Sequence, residues 1–223
     1  MRPRNVIGPR TFTLGTAVVV LAVIRNRSLR WGATRDEQHL VLPGDELMAR
    51  TDLQSTRAVT IRTSPDRVWP WLAQLGQGRG GLYSYDWLEN LIGCNIRSAD
   101  VVLPQHQQIA EGDQVRLAPQ LALDVARVDP GTALVLRGGI PMGSTAPPFD
   151  FSWAFVLRED QYGGTRLLVR ERYSYTRRWA ALIVEPTELI SRMMSTRMLR
   201  GIKQRAEDAP LTTPTPMSVE AAR

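Results

Sequence analysis

Apolar and polar positions change their period along this chain, and the changes divide it into segments. Thr11–Ile24 (TFTLGTAVVVLAVI) is an unbroken apolar run with arginine on both sides. After a polar joint, Thr56–Arg62 alternates, with Ala58, Thr60 and Arg62 on one side and Val59 and Ile61 on the other, which predicts a half-buried strand. Ser64-Pro65-Asp66 then reads as an N-cap, a first-turn proline and an early acid. The helix it opens carries Val68, Trp69, Trp71, Leu72 and Leu75 and stops at Gly76. Gln77–Gly81 is a glycine-rich loop, and Tyr85–Ile92 predicts a short helix with Trp87, Leu88, Leu91 and Ile92 as its apolar stripe.

From Asp113 the pattern turns to strands. Gln114–Leu117, Ala122–Val128 and Ala133–Arg137 are short apolar-rich runs split by turn signals such as Asp129-Pro130-Gly131. Phe149–Arg158 and Arg166–Tyr175 are longer, joined through Tyr162-Gly163-Gly164. Glu185–Glu207 closes the fold as a long helix with Pro186 in its first turn and Leu189, Ile190, Met193, Met194 and Ile202 at helical spacing. Residues 208–223, with three prolines, predict a disordered tail. Strand, short helices, antiparallel strands and a closing helix add up to an α+β domain. A strongly curved sheet around such a helix would leave room for a ligand between them.

The run 11–24 is the second unit. Its 14 residues span only ~21 Å as a helix, short of the ~30 Å hydrocarbon core, unless Arg10 and Arg25 snorkel and Val6 and Ile7 extend it. No small-residue cleavage site follows, as a signal peptide requires, and a run apolar all round makes a poor amphipathic core helix. The expectation is an uncleaved membrane anchor over residues 1–34, a domain over 35–207 and the tail beyond.

Charge narrows the partners. The formal charge of +6 invites a nucleic-acid reading, but residues 1–35 hold seven arginines and no acid, while the remainder has 21 basic against 22 acidic residues. A nucleic-acid-binding body needs its basic surface on the folded part, so that class is set aside. The single cysteine, Cys94, forms no intramolecular disulfide, and His39 and His106 stand far apart without companion ligands, so no metal or other cofactor is expected.

The element order over about 56–206 resembles the START-like, polyketide cyclase/dehydratase-like (SRPBCC) superfamily, whose domains have the helix-grip fold. Arg30-Trp31-Gly32-Ala33-Thr34, Leu42-Pro43-Gly44-Asp45-Glu46-Leu47, Val68-Trp69-Pro70-Trp71-Leu72 and the stretch from Gly76 to Asn90 are similar to a bacterial subgroup often preceded by a hydrophobic segment. The resemblance implies a curved antiparallel sheet wrapped around a long C-terminal helix, enclosing an apolar cavity. It does not choose among lipid carriers, hormone receptors, cyclases and oxygenase subunits.

Candidate residues come from the two long strands. Phe149, Phe151, Trp153, Phe155 and Leu157 share one face, and Leu167, Val169, Tyr173 and Tyr175 continue it. Glu171 falls among these inward residues. A carboxylate there must be hydrogen-bonded, paired or neutralised. It is either a polar anchor or acid in the pocket, a structural partner of an inward Arg or Tyr, or a residue turned to solvent by a bulge. The expected ligand-binding set is Trp69, Trp153, Phe155, Glu171, Tyr173, Met194 and, at the mouth, Arg79, whose glycine loop lacks the lysine and Ser/Thr of a P-loop. The first functional reading is binding or transport of a hydrophobic, lipid- or polyketide-like molecule at a membrane. The alternative is a cyclase/dehydratase-like enzyme with Glu171 and Tyr173 as acid/base groups.

Overall fold

The computed structural model of the chain describes residues 25, 27, 29–139 and 147–209. The apolar run 11–24 and the tail beyond residue 209 lie outside them. The elements are α1 (Arg35–His39), β1 (Leu53–Ile61), α2 (Pro65–Ala73), α3 (Asp86–Leu91), β2 (Gln114–Ala118), β3 (Leu121–Asp129), β4 (Ala133–Gly138), β5 (Phe149–Glu159), β6 (Thr165–Tyr175) and α4 (Ala181–Asp208). The strands form one antiparallel, curved sheet in the order β1-β6-β5-β4-β3-β2, so the first strand pairs with the last. With the long helix across its inner face, this is the expected α+β helix-grip arrangement.

Two elements differ from their sequence-based bounds for local reasons. The chain begins α4 at Ala181, with Val184 N–H already bonded to Ala180 O, so Pro186 lies inside the helix and leaves Leu182 O without its usual donor. β1 starts at Leu53, three residues earlier than its alternation suggested, and this brings Ser55 into the ladder opposite Glu171.

The inner face carries the main core. Val68, Trp71 and Leu72 of α2, Met198, Leu199, Ile202 and Ala206 of α4, and Leu123, Leu134, Phe155, Leu157, Leu167 and Val169 of the sheet form one cluster. α4 approaches closely at Gly201, where a Cβ would lie 2.3 Å from Tyr83 O. The C-terminal half of α4 is thus clamped to α2 and the sheet.

The outer face is covered as well. Residues 29–48 lie across β1, β6, β5 and β4, with Leu42 packed on Ala58, Ala133, Val156 and Leu168. Leu29 O and Trp31 O accept from Thr56 N–H and Ala58 N–H, and at Gly32 the backbones come so close that a Cβ would meet Ala58 O at 2.1 Å. Residues 29–34, grouped with the anchor by composition, therefore sit on the edge of the sheet. Thr34 and Glu37 close a capping box at the start of α1. Arg170, on the outer side of β6, is 1% exposed: its guanidinium reaches Asp45 Oδ2 (2.5 Å) and the carbonyls of Leu40, Glu37 and Gln38. That interaction fastens the strap to the sheet.

Candidate functional site: a buried arginine and its carboxylates

The inward row of β1 is Leu53, Ser55, Arg57, Val59 and Ile61, and Ser55 stands opposite Glu171, which stands opposite Trp153. Arg57 is 0% exposed and Glu171 1%. Arg57 Nη1 lies 2.9 Å from Glu171 Oε1, and Nη2 lies 2.6 Å from Oε1 of Glu188 on α4. Ser195 Oγ donates to Glu171 Oε1 and Ser191 Oγ to Oε2, each at 2.8 Å. Arg57 also donates to Ser55 Oγ at 2.9 Å, and the Tyr173 hydroxyl lies 3.5 Å from Glu171 Oε2. Of the readings open for Glu171, the structure shows the ion pair with an inward arginine, in the expected strand phase.

Electrostatics follow from that geometry. Burial pushes the Glu171 carboxyl up, but the Arg57 guanidinium and the hydroxyls of Ser195 and Ser191 outweigh it and hold the group below the usual carboxylate range. Tyr173 is driven well above the usual phenol range by burial and by the neighbouring Glu171 charge. Glu171 is therefore a fixed anion with both oxygens engaged.

α4 reaches this network through a phase opposite to its apolar pattern. The inward stripe of its N-terminal half is Val184, Glu188, Ser191 and Ser195, whereas Leu189, Ile190 and Met193 are 62%, 57% and 46% exposed. The physical reason lies in Arg57 and Glu171: two buried charges need donors and acceptors from the helix above them, and a polar stripe at i, i+3 and i+7 supplies them. α3 is turned the same way. It exposes Trp87, Leu91 and Ile92 and buries Glu89.

Glu89 is a further buried carboxyl, 3% exposed, in addition to Glu171 and Glu188. Ser84 Oγ donates to its Oε1 at 2.7 Å, and its Oε2 has no partner. The same Ser84 oxygen lies 3.8 Å from Met194 Sδ, so Glu89 faces the N-terminal half of α4. Burial raises its carboxyl above the ordinary range, Ser84 lowers it in part, and the Asp86 charge raises it further. A raised carboxyl favours the folded state below its unfolded-state pKa, and that advantage is lost as pH rises through the folded value. Glu89→Gln is accordingly expected to be more stable than wild type at pH 7 and equal to it near pH 4. Urea midpoints at the two pH values check this; a variant less stable at pH 7 would mean that the Ser84 hydrogen bond to the carboxylate outweighs its burial.

The remaining expected ligand residues separate. Phe155 is fully buried in the core, and Phe149, Phe151 and Trp153 are buried with it at 6%, 8% and 8% exposure. Phe149, Phe151, Trp153 and Tyr173 form a continuous aromatic row, with Phe151 and Tyr173 centroids 4.8 Å apart and Trp153 and Phe155 4.7 Å apart. Trp153 Nε1 is buried there without a partner, as is the Tyr175 hydroxyl. Trp69 instead lines an outer cleft with Gln107, Ile109 and Val128. Arg79 is spent on backbone carbonyls, donating to Ala73 O at the end of α2 at 2.9 Å and to His106 O at 3.0 Å. A cleft of about 630 Å³ lies between α2, Asp100–Val102 and the C-terminal half of α4, and none of the aromatic row lines it. Among the described residues no group of His, Cys, Asp and Glu is arranged to hold a metal ion, and no helix is long and apolar enough to cross a membrane.

No family model matches the chain, and no curated protein does. Solved structures are similar at low identity. Protein MLL2253 from Mesorhizobium loti is 16% identical, covering 71% of this chain and 100% of that one, with a TM-score of 0.43. Protein Ms6760 from Mycobacterium smegmatis is 15% identical over 68% of this chain and 89% of that one, with a TM-score of 0.40. Ara h 8.0201 is 12% identical over 69% and 97%, with a TM-score of 0.36. These are distant likenesses, and the functional residues are taken from this chain alone.

Proposed function

We propose that the protein binds and carries a hydrophobic small molecule, of lipid or polyketide-like character, against the aromatic row of β5 and β6, with the N-terminal run 11–24 holding it at a membrane. The observation that carries this reading is the Trp153 indole N–H, buried and unpartnered within a row of aromatic side chains. A buried donor left unsatisfied is costly, and a ligand carbonyl or hydroxyl would satisfy it while the rings take up the apolar body. The C-terminal half of α4 is clamped at Gly201, whereas the N-terminal half is fastened to the sheet by the Arg57–Glu188 ion pair and the Ser191 and Ser195 hydroxyls, so admission of a ligand there has to open that polar network.

Carriage is favoured over the cyclase- or dehydratase-like alternative because Glu171 is engaged on both oxygens and held as an anion. A group so fixed anchors the floor of the site and is poorly placed to exchange a proton with a substrate.

Native mass spectrometry of the full chain after mild extraction is expected to show a co-purifying apolar species. Trp153→Phe removes the N–H together with one ring of the indole and should weaken retention by about tenfold or more, the hydrogen bond alone being worth about that much. Absence of any bound species, together with no uptake of an apolar anilinonaphthalene dye, would remove the ligand reading.

A further inference from the structure

Both helices over the site are inverted, and the inversion gives the molecule an unusual outer surface. Leu182, Leu189 and Met193 follow one another by seven and four residues and so share a face of α4, with Ile190 beside them; all four are exposed. Trp87 and Leu91 of α3 are exposed as well. The two helices adjoin at Tyr85, which borders a shallow cleft with Trp31, Leu189 and Met193 and lies under the Arg197 guanidinium at 5.9 Å. Isolated exposed apolar side chains are ordinary, but a run of them on adjoining helices, with the polar residues turned inside, marks a surface that meets something apolar.

The occupant is indicated by charge and by where the chain leads. Arg177, Arg178, Arg197 and Arg200 are all exposed along α4 and its approach, a fringe suited to anionic head groups. Arg25, the residue that closes the apolar run 11–24, makes a bidentate ion pair with Glu185 of α4, at 2.7 and 2.8 Å through Nη2 and 3.0 Å through Nε. Glu185 lies between Leu182 and Leu189 in sequence, so the anchor leaves the domain beside this face. We propose that the outer face of α3 and the N-terminal half of α4 lies on the surface of an anionic lipid bilayer, so that the half of α4 nearest the aromatic row faces the membrane. This rests on the membrane anchoring proposed above and adds the orientation of the domain.

The test uses the full chain with vesicles of phosphatidylcholine containing phosphatidylglycerol. In a Cys94→Ser background, Met193→Cys and, at the far end of β5, Arg158→Cys each carry an environment-sensitive fluorophore. The expected result is co-flotation of the protein, a blue shift at position 193, and loss of roughly half or more of its emission to spin-labelled lipid. The label at position 158 should be unchanged. Co-flotation with a water-exposed label at 193 would overturn the docking surface and leave the anchoring intact. Failure to float would overturn both. A concentration-dependent blue shift at 193 without vesicles would assign the face to a second copy of the chain and overturn the bilayer.

Discussion

Arg57→Met lowers the free energy of unfolding by about 3–5 kcal/mol at pH 7, because it leaves the buried Glu171 carboxylate without its cation and takes the same guanidinium from Glu188. Methionine fits the volume and can replace the stem's packing, so the loss reads the charge. The deficit has a pH signature. In the wild type Glu171 titrates below its unfolded value, so its contribution is complete above the ordinary carboxylate range and is lost as pH falls through the depressed folded value. In the variant, burial is opposed only by hydroxyls, the carboxyl rises, and protonation relieves it. The gap between the two proteins should therefore narrow from pH 7 to about pH 4. Urea unfolding followed by tryptophan fluorescence measures both; a loss below about 1 kcal/mol at pH 7 would show that the network does not hold α4 to the sheet.

Arg170→Met is expected to cost about 3 kcal/mol and to act on the opposite side of the sheet. It leaves the Asp45 carboxylate with only the longer ion pair to Arg172, at 3.5 Å, and takes the guanidinium from the carbonyls of Leu40, Glu37 and Gln38. Those acceptors can find water only if the strap lifts, so the variant should become sensitive to limited proteolysis within residues 33–48 while ligand retention is kept. Arg57→Met should show the reverse, with loosening at α4. Equal protection of the strap in the Arg170 variant and the wild type would refute the fastening.

The element order, the antiparallel sheet and the inward phase of β5 and β6 were all legible from alternation, because successive side chains of a strand point to opposite faces. Glu171 was found for the same reason. Its partner was missed although the signal was present. Carrying the Val59–Ile61 phase two residues back puts Arg57 on the inner face, and Glu188, Ser191 and Ser195 form a polar stripe as regular as the apolar one. The orientation of α3 and α4 was not legible. Helical periodicity identifies a face and not its direction, and a rule that turns apolar residues inward fails where buried charges need satisfying and the outside is itself apolar. The burial of Arg170 was equally hidden, since its partners are backbone carbonyls of a strap whose irregular path leaves no period.

Pairing of the first strand with the last has a consequence for how the chain is made. Arg57 and Glu188 stand 131 residues apart, and Ser55 and Glu171 stand 116 apart. During synthesis β1 emerges long before β6 or α4 exists to pair with it, and such distant closure is the slow part of folding a sheet. A solvated guanidinium in the middle of that waiting strand discourages it from joining the wrong edge. Its burial then depends on the arrival of both acids, so the charge delays the strand until its true neighbours have been made.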